Sequence, residues 1–255
     1  MTWIIERLGT VGSTNDEAMA RAQDGAPHGT VVCADVQTRG RGRQGRTWRS
    51  LPGENIFLSV VLRLGLPPVA TPPVTLAAGV ATCEAVNHFA PGASIKWPND
   101  VLWSGLKMAG ILTEASTRGD RVEAVILGVG LNVNATELPP ELHATSLRLA
   151  SGRTLDRDAV LARLLAELER WTDALVSAGP APVLAAWRER TSTFGRRLRA
   201  PAGVAVDIDE SGALVVETED GRRIKVHSGE WPASDGEETA TLERGAAERP
   251  GAPSR

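Results

Sequence analysis

Lysine is nearly missing from this chain. Only Lys96, Lys107 and Lys225 occur, against 25 arginines. A sequence so committed to arginine keeps lysine where a compact ammonium on a thin stem is required. Two of the three stand close together, in "IKWPND" and "GLKMAG". Tyrosine is absent and phenylalanine occurs three times, which argues against the basic surface with interleaved aromatics that single-stranded RNA readers use. The formal net charge of −3 likewise excludes a nucleic-acid-coating protein. Two cysteines, Cys33 and Cys83, each inside an apolar segment, give no disulfide framework and are predicted to be reduced and buried. The four histidines, at 28, 88, 143 and 227, show no metal-ligand spacing. No apolar run approaches the ~18 residues of a membrane span, and "MTWIIERLGT" lacks the basic and apolar regions of a secretion signal. A cytoplasmic protein is predicted.

What is present divides into three textures. "WIIERL", "GTVVCADVQ" and "NIFLSVVLRL" read as strands, the last apolar enough to be buried on both faces. "STNDEAMARAQ" reads as a helix with Ser13 or Asn15 as N-cap, and "PPVTLAAGVATCEAVNHF" as a second helix with a proline start. Short strands follow in "ASIKWPND", "VLW", "KMAGILTEAS" and "AVILGVGLNVN", then two helices in "LDRDAVLARLLAELERWTDALV" and "PVLAAWRERT". Strands and helices without a regular βαβ rhythm predict an α+β fold over residues 1–190. From 191 to 232 the texture becomes short alternating strands with Glu-Ser-Gly and Glu-Asp-Gly turns, which predicts a small β-barrel that must lean on the larger domain. Residues 233–255 carry almost no bulky apolar side chains and are predicted to be a disordered tail.

The segment "TRGRGRQGRTW", residues 38–48, is unsuited to any core: arginine heads repel and glycine is costly to order. It matches G-x-G-x-x-G and nearly a Walker A pattern. Both need a helix to begin directly after the loop, and "WRSLPGENIFLSV" offers a Pro-Gly turn and a strand instead. Its physical content stands apart from those motifs. Glycines expose backbone N–H groups, Arg39, Arg41, Arg43 and Arg46 supply fork-shaped donors for phosphate oxygens, and no acid occurs from Thr38 to Pro52. The loop is predicted to order over an anion and exclude water from it.

Five pieces then occur in order: "STN" at 13–15, "QTRGRGRQGRTW" at 37–48, "KWPND" at 96–100, "KMAGILTE" at 107–114 and "GVGLNVN" at 128–134. In this order and spacing, from about Ile5 to Trp231, the chain resembles the biotin–protein ligases. The resemblance implies a catalytic domain akin to class II aminoacyl-tRNA synthetases, followed by an SH3-like barrel. It implies no DNA-binding winged helix ahead of the first strand at residue 3, and no repressor role. The implied chemistry has two steps. Biotin's carboxylate attacks the α-phosphate of ATP, with Mg²⁺ assisting, to give biotinyl-5′-AMP. A lysine on the biotin carboxyl carrier domain of acetyl-CoA carboxylase, or a related carboxylase, then displaces AMP.

By the same resemblance, Ser13, Thr14, Asn15 and Gln37 hold the ureido ring, and Arg41, Gly42 and Arg43 line the carboxylate and phosphates, with Arg46 assisting. Lys107 sits between carboxylate and α-phosphate, and main-chain groups of Gly110 and Leu112 face biotin. Asp100 serves the metal or activates the acceptor lysine. Lys96, Asn99 and Asn132 face ATP. Relatives often carry a further arginine where this chain has Gln44, and a tryptophan over adenine where "HATSLRLASG" has none. A lipoate ligase on the same fold is the neighbouring alternative, and the polar partners Asn15 and Gln37 favour biotin's polar ring over it.

Overall fold

The computed structural model describes residues 2–48, 52–65, 71–118 and 121–227; the predicted tail at 233–255 lies outside them. A seven-stranded mixed sheet forms the body. Its strands are β1 (Ile4–Val11), β2 (Thr30–Gln37), β3 (Ile56–Leu62), β4 (Ala93–Lys96), β5 (Asp100–Trp103), β6 (Leu106–Arg118) and β7 (Arg121–Leu131), in the order β1-β2-β3-β7-β6-β5-β4. Only β1 and β2 pair in parallel, joined through helix α1 (Thr14–Gln23); every other neighbour is antiparallel. One βαβ unit therefore opens an otherwise antiparallel sheet, and the α+β prediction stands.

Both faces of the sheet centre are covered. On one side α1 packs Ala18 and Ala22 against Val32, Val61 and Ile126. On the other, helices α2 (Thr71–Phe89), α4 (Arg157–Ala178) and α5 (Ala181–Arg190) close over Val31, Leu58, Val60, Leu127 and Val129. Alternate strand residues thus feed two cores, which is why all seven residues of β3 are buried and its sequence reads as continuous apolar. Asp156 caps α4 by accepting from the Asp158 N–H at 2.9 Å. One short helix is not foreseen from the sequence: α3 (Leu147–Ser151), capped by Ser146 Oγ and closed by Gly152 at φ 74°.

The C-terminal strands β8 (Arg197–Arg199), β9 (Ala202–Ile208), β10 (Leu214–Glu217) and β11 (Arg223–Val226) form an antiparallel sheet in the order β11-β10-β9-β8. Closure into the expected barrel is not seen among the described residues, where the sheet is open because β8 and β11 lie at its two edges and do not pair with each other. Its apolar face does lean on the larger body. Leu198, Ala205, Ile208, Leu214 and Val216 belong to the same continuous core as α2 and α5. Asp209 fixes the β9–β10 turn. Burial would push its carboxyl up, but donors from Lys225 (2.8 Å), the Ser211 hydroxyl (2.6 Å) and the N–H groups of Ser211 and Ala213 hold it at about 2. A depressed folded value stabilises above the unfolded pKa and is lost as pH falls through the folded one. Asp209→Asn is expected to lower Tm by about 2–4 °C at pH 7. Thermal melts should show that difference shrinking below pH 3, where the wild-type carboxyl protonates too.

Candidate active site

The ends of several elements meet over one cavity of about 610 Å³. β1 delivers Ser13–Asn15 at the start of α1, β2 delivers Gln37 and the arginine loop, β5 begins with Asp100, and β6 and β7 form the floor. Ser13, Thr14, Asn15, Gln37, Arg41, Gly42, Arg43, Arg46, Lys96, Asn99, Asp100, Lys107, Gly110, Leu112 and Asn132 all line it. Every site residue expected from the sequence is thereby brought to one place. Of the three lysines, Lys96 and Lys107 are in the cavity, and Lys225 is engaged in the C-terminal sheet.

One end is a buried polar cluster. Ser59, fully buried in β3, hydrogen-bonds Asn15 Oδ1 at 2.6 Å and Thr14 Oγ1 at 2.8 Å. Gln37 Oε1 accepts from the Thr14 N–H at 2.8 Å and its hydroxyl at 3.1 Å. Gln37 thereby satisfies the free N–H at the first helical position, and Ser13 occupies the N-cap position without a side-chain bond. Asn15 Nδ2 donates to Glu114. Asn15 lies directly on the sheet, where a Cβ on Gly128 would stand 2.2 Å from its Oδ1. The result is a fixed row of hydroxyl, amide and carboxylate groups with little room to rearrange.

The arginine loop is held by contacts of its own. Gly42 N–H donates to Arg46 O at 2.7 Å, Trp48 N–H to Gly40 O at 2.9 Å, and Arg39 N–H to Gly12 O at 2.8 Å. Arg41 pairs with Asp16 at 2.7 Å and with Glu114 at 3.4 Å, so part of the predicted self-repulsion is already neutralised. The hydrogen bond from Arg41 holds the Asp16 carboxyl below the usual range, and in turn raises the guanidinium. Gln44, at φ 54° within the short turn Arg43–Gly45, is exposed and outside the cavity lining.

Trp48, half-buried, lies across the floor. A Cβ on Gly110 would come 2.7 Å from its ring, and one on Gly130 2.6 Å. Lys107 Nζ lies 5.2 Å from the ring centroid, within cation–π range. The small residues of β6 and β7 thus make room for side chains of the protein itself. Gly110 and Leu112, expected to offer main-chain groups to biotin, both line the cavity. Ile111 N–H donates sideways to Asn99 O at 2.9 Å, which turns the groups of its two neighbours into the ladder with Gly130 and Gly128 of β7.

Lys107 is not a lone ammonium, because Asp100 Oδ1 lies 2.6 Å from its Nζ. Asn99 and Asn132 are both buried and both tie backbone. Asn99 Nδ2 donates to Ile111 O at 2.7 Å and Asn132 Nδ2 to Thr145 O at 3.0 Å, each holding a cavity wall in place. The lining carries six cations, Arg41, Arg43, Arg46, Lys96, Lys107 and Arg196, against the carboxylates Asp100 and Glu141. Such a lining suits a polyanion brought beside a second acid. Among the described residues no three His, Cys, Asp or Glu side chains gather as a metal site.

Sequence reasoning passed over four contributors: Trp48, Ser59, Glu114 and Arg196. Trp48 and Glu114 close two of the quoted motifs. Ser59 is the one polar residue in "IFLSVVL", a usable signal once both faces of that strand are known to be buried. Arg196 carries no local signal, for its position depends on how the C-terminal sheet docks.

Comparison with known proteins agrees with this geometry. Residues 10–132 match the model of the "Biotin/lipoate A/B protein ligase family", and residues 199–230 match the "Biotin protein ligase C terminal domain". A biotin--[acetyl-CoA-carboxylase] ligase of Mycobacterium tuberculosis is 39% identical over 246 residues, covering 89% of this chain and 87% of that protein. A bifunctional ligase/repressor of Bacillus spizizenii is 39% identical over 229 residues, covering 86% of this chain and 70% of that protein. Among solved structures, a biotin protein ligase from Aquifex aeolicus in complex with biotin and ATP superposes with a TM-score of 0.75 at 27% identity, covering 88% of this chain and 95% of that one. With its motifs gathered in one cavity and its relatives matched along most of their length, this chain belongs to the biotin/lipoate A/B protein ligase family.

Proposed function

We propose that the chain is an ATP-dependent biotin–protein ligase. The observation that carries this reading is the two-ended cavity, with a buried amide and hydroxyl row at Ser13–Asn15 and a cationic lining beyond it. Biotin's ureido ring offers one carbonyl and two N–H groups, which match Ser13, Thr14, Asn15 and Gln37. A uniformly apolar chain head would offer those groups neither a carbonyl nor an N–H partner. Arg41, Gly42 and Arg43 bring carboxylate and phosphate together, with Arg46, Lys96, Asn99 and Asn132 on the nucleotide side.

Lys107 bridges the carboxylate and the α-phosphate. As a carboxylate oxygen bonds to phosphorus, the bond to the β-phosphate breaks and the pair of electrons leaves with pyrophosphate. The ammonium lowers the repulsion between the two acids and follows charge in the transition state. Asp100 keeps that ammonium positioned. In the second step it is placed to take the proton of the acceptor lysine, whose amine displaces AMP. Mg²⁺ neutralises phosphate charge and enters as part of the ATP complex. Asp100, the motif carboxylate in the cavity lining, would hold the ion together with the phosphates. The acceptor is a biotin carboxyl carrier domain, of acetyl-CoA carboxylase or a related carboxylase, and the setting is cytoplasmic. Among the described residues no helix is long and apolar enough to cross a membrane. The finer fold reading, a class II synthetase-like catalytic layer with an SH3-like C-terminal unit, is supported by the antiparallel platform of β6 and β7 and by the bulged β9–β10 pairing.

The test is direct. Purified protein with biotin, ATP and Mg²⁺ should form biotinyl-5′-AMP and, with a carrier domain added, a mass increase on a single lysine. Formation of lipoyl-AMP in preference to the biotinyl adduct would overturn the assignment.

A further inference from the structure

We propose that Arg196, outside the five sequence motifs, binds the β- and γ-phosphates of ATP, so that the C-terminal sheet supplies part of the nucleotide site. This inference rests on the ligase reading and adds to it a substrate-binding residue. Strand order carries the argument. The polar row of Ser13–Asn15 sits over β3 and β7, where Asn15 meets Ser59 and Gly128, Lys107 rises from β6, Asp100 from β5 and Lys96 from β4 at the sheet edge. With about 4.8 Å between neighbouring strands, β4 lies roughly 10 Å beyond β6. If biotin runs from the polar row to Lys107, the leaving pyrophosphate extends toward the β4 edge.

Arg196 is fixed at that edge. Ser192 N–H donates to Ile95 O at 2.9 Å, and Thr193, fully buried, accepts from the Trp97 N–H at 2.8 Å. The Trp97 indole reaches across to Gly212 O in the β9–β10 turn at 3.0 Å. The segment before β8 is thereby seated alongside "KWPND". Ala205 N–H donates to Arg196 O at 2.9 Å, locking its backbone into the C-terminal sheet. Its Nε donates to Ser192 O at 2.9 Å, which fixes the guanidinium plane. Of the arginines in "RRLR", Arg197 and Arg199 are exposed, whereas Arg196 is half-buried and lines the cavity. A guanidinium held this way presents paired donors to phosphate oxygens and neutralises charge on the leaving group as the α–β bond breaks.

The experiment is equilibrium binding of ATP with Mg²⁺ to the full chain by calorimetry, followed by the two half-reactions measured separately. Arg196→Gln is expected to weaken ATP binding about 10- to 100-fold, leave biotin binding unchanged, and spare transfer from preformed biotinyl-5′-AMP, which carries no β- or γ-phosphate. Arg196→Lys should recover part of the loss through its point charge. ATP affinity within about twofold of wild type in R196Q would overturn the proposal, as would an equal fall in both half-reactions, the mark of a merely structural role. The ATP titration is read without the adenylation step. Failure of wild-type protein to adenylate biotin would therefore count against the ligase reading, and leave the Arg196 result readable by itself.

Discussion

Replacing Lys107 with alanine will lower biotin-dependent exchange of pyrophosphate into ATP by about 10²- to 10³-fold, the effect of removing one charge-stabilising donor from a transition state. Its Nζ stands 2.6 Å from Asp100 and 5.2 Å from the Trp48 ring, over the centre of the cavity floor. Among the described residues Lys107 is the one cation of β6 that lines the cavity, so no neighbour on that strand replaces it. Lys107→Arg will not restore the rate, because a planar fork cannot occupy the place of a compact ammonium between two acids. Removing the lysine also leaves Asp100 unpaired. That pair is partly open to solvent, with the two side chains 26% and 16% exposed, so the stability loss is expected at about 1 kcal/mol or less. Melting curves of the variant measured beside the exchange rates separate the two effects. An exchange rate near that of wild type would remove Lys107 from the mechanism.

Gly128→Ala is expected to weaken biotin binding by about 10- to 100-fold, as buried partners of the ring are lost or misplaced. The added methyl would stand 2.2 Å from Asn15 Oδ1 and 3.0 Å from its Cγ. Asn15 cannot yield easily. Ser59 holds its oxygen and Glu114 its nitrogen, and Glu114 in turn holds Arg41. One methyl group therefore disturbs the polar row and, through Glu114, the arginine loop. Overpacking at this site should cost about 1–3 kcal/mol of stability as well. The control is Gly9→Ala, whose added Cβ meets nothing within 4 Å, and which should leave biotin affinity unchanged. Calorimetric titration of both variants with biotin checks the pair. Unchanged affinity in G128A would show that Asn15 does not hold the ring.

The local chemistry of the site was legible in the sequence, and its wiring was not. The arginine loop and the scarce lysines of "KWPND" and "KMAGILTE" stand out by residue type, whereas "STN" reads equally as a plain helix cap. Those residues do meet in space. The continuous apolar character of "IFLSVVL" correctly marks a strand covered on both faces. Sheet order was beyond local reading, because β3 pairs with β7 across more than sixty residues of intervening chain and no turn encodes that choice. The same holds for charge. The loop contains no acid, yet Arg41 finds Asp16 and Glu114, 25 and 73 positions away. Trp48 reads as the end of a basic motif, and only the bare backbone at Gly110 and Gly130 shows where its ring goes. Barrel closure was beyond local reading for a related reason. Alternating strands and turn signals specify a small antiparallel sheet, but closure depends on whether its edges meet.

A structure of the protein bound to biotin and a non-hydrolysable ATP analogue tests the central claim most directly. The ureido ring should hydrogen-bond the Ser13–Asn15 row and Gln37, the carboxylate and α-phosphate should meet at Lys107, and the remaining phosphates should run toward Lys96. Either ligand bound outside this cavity, or the vitamin seated with its ring at the Lys96 end, would contradict the account.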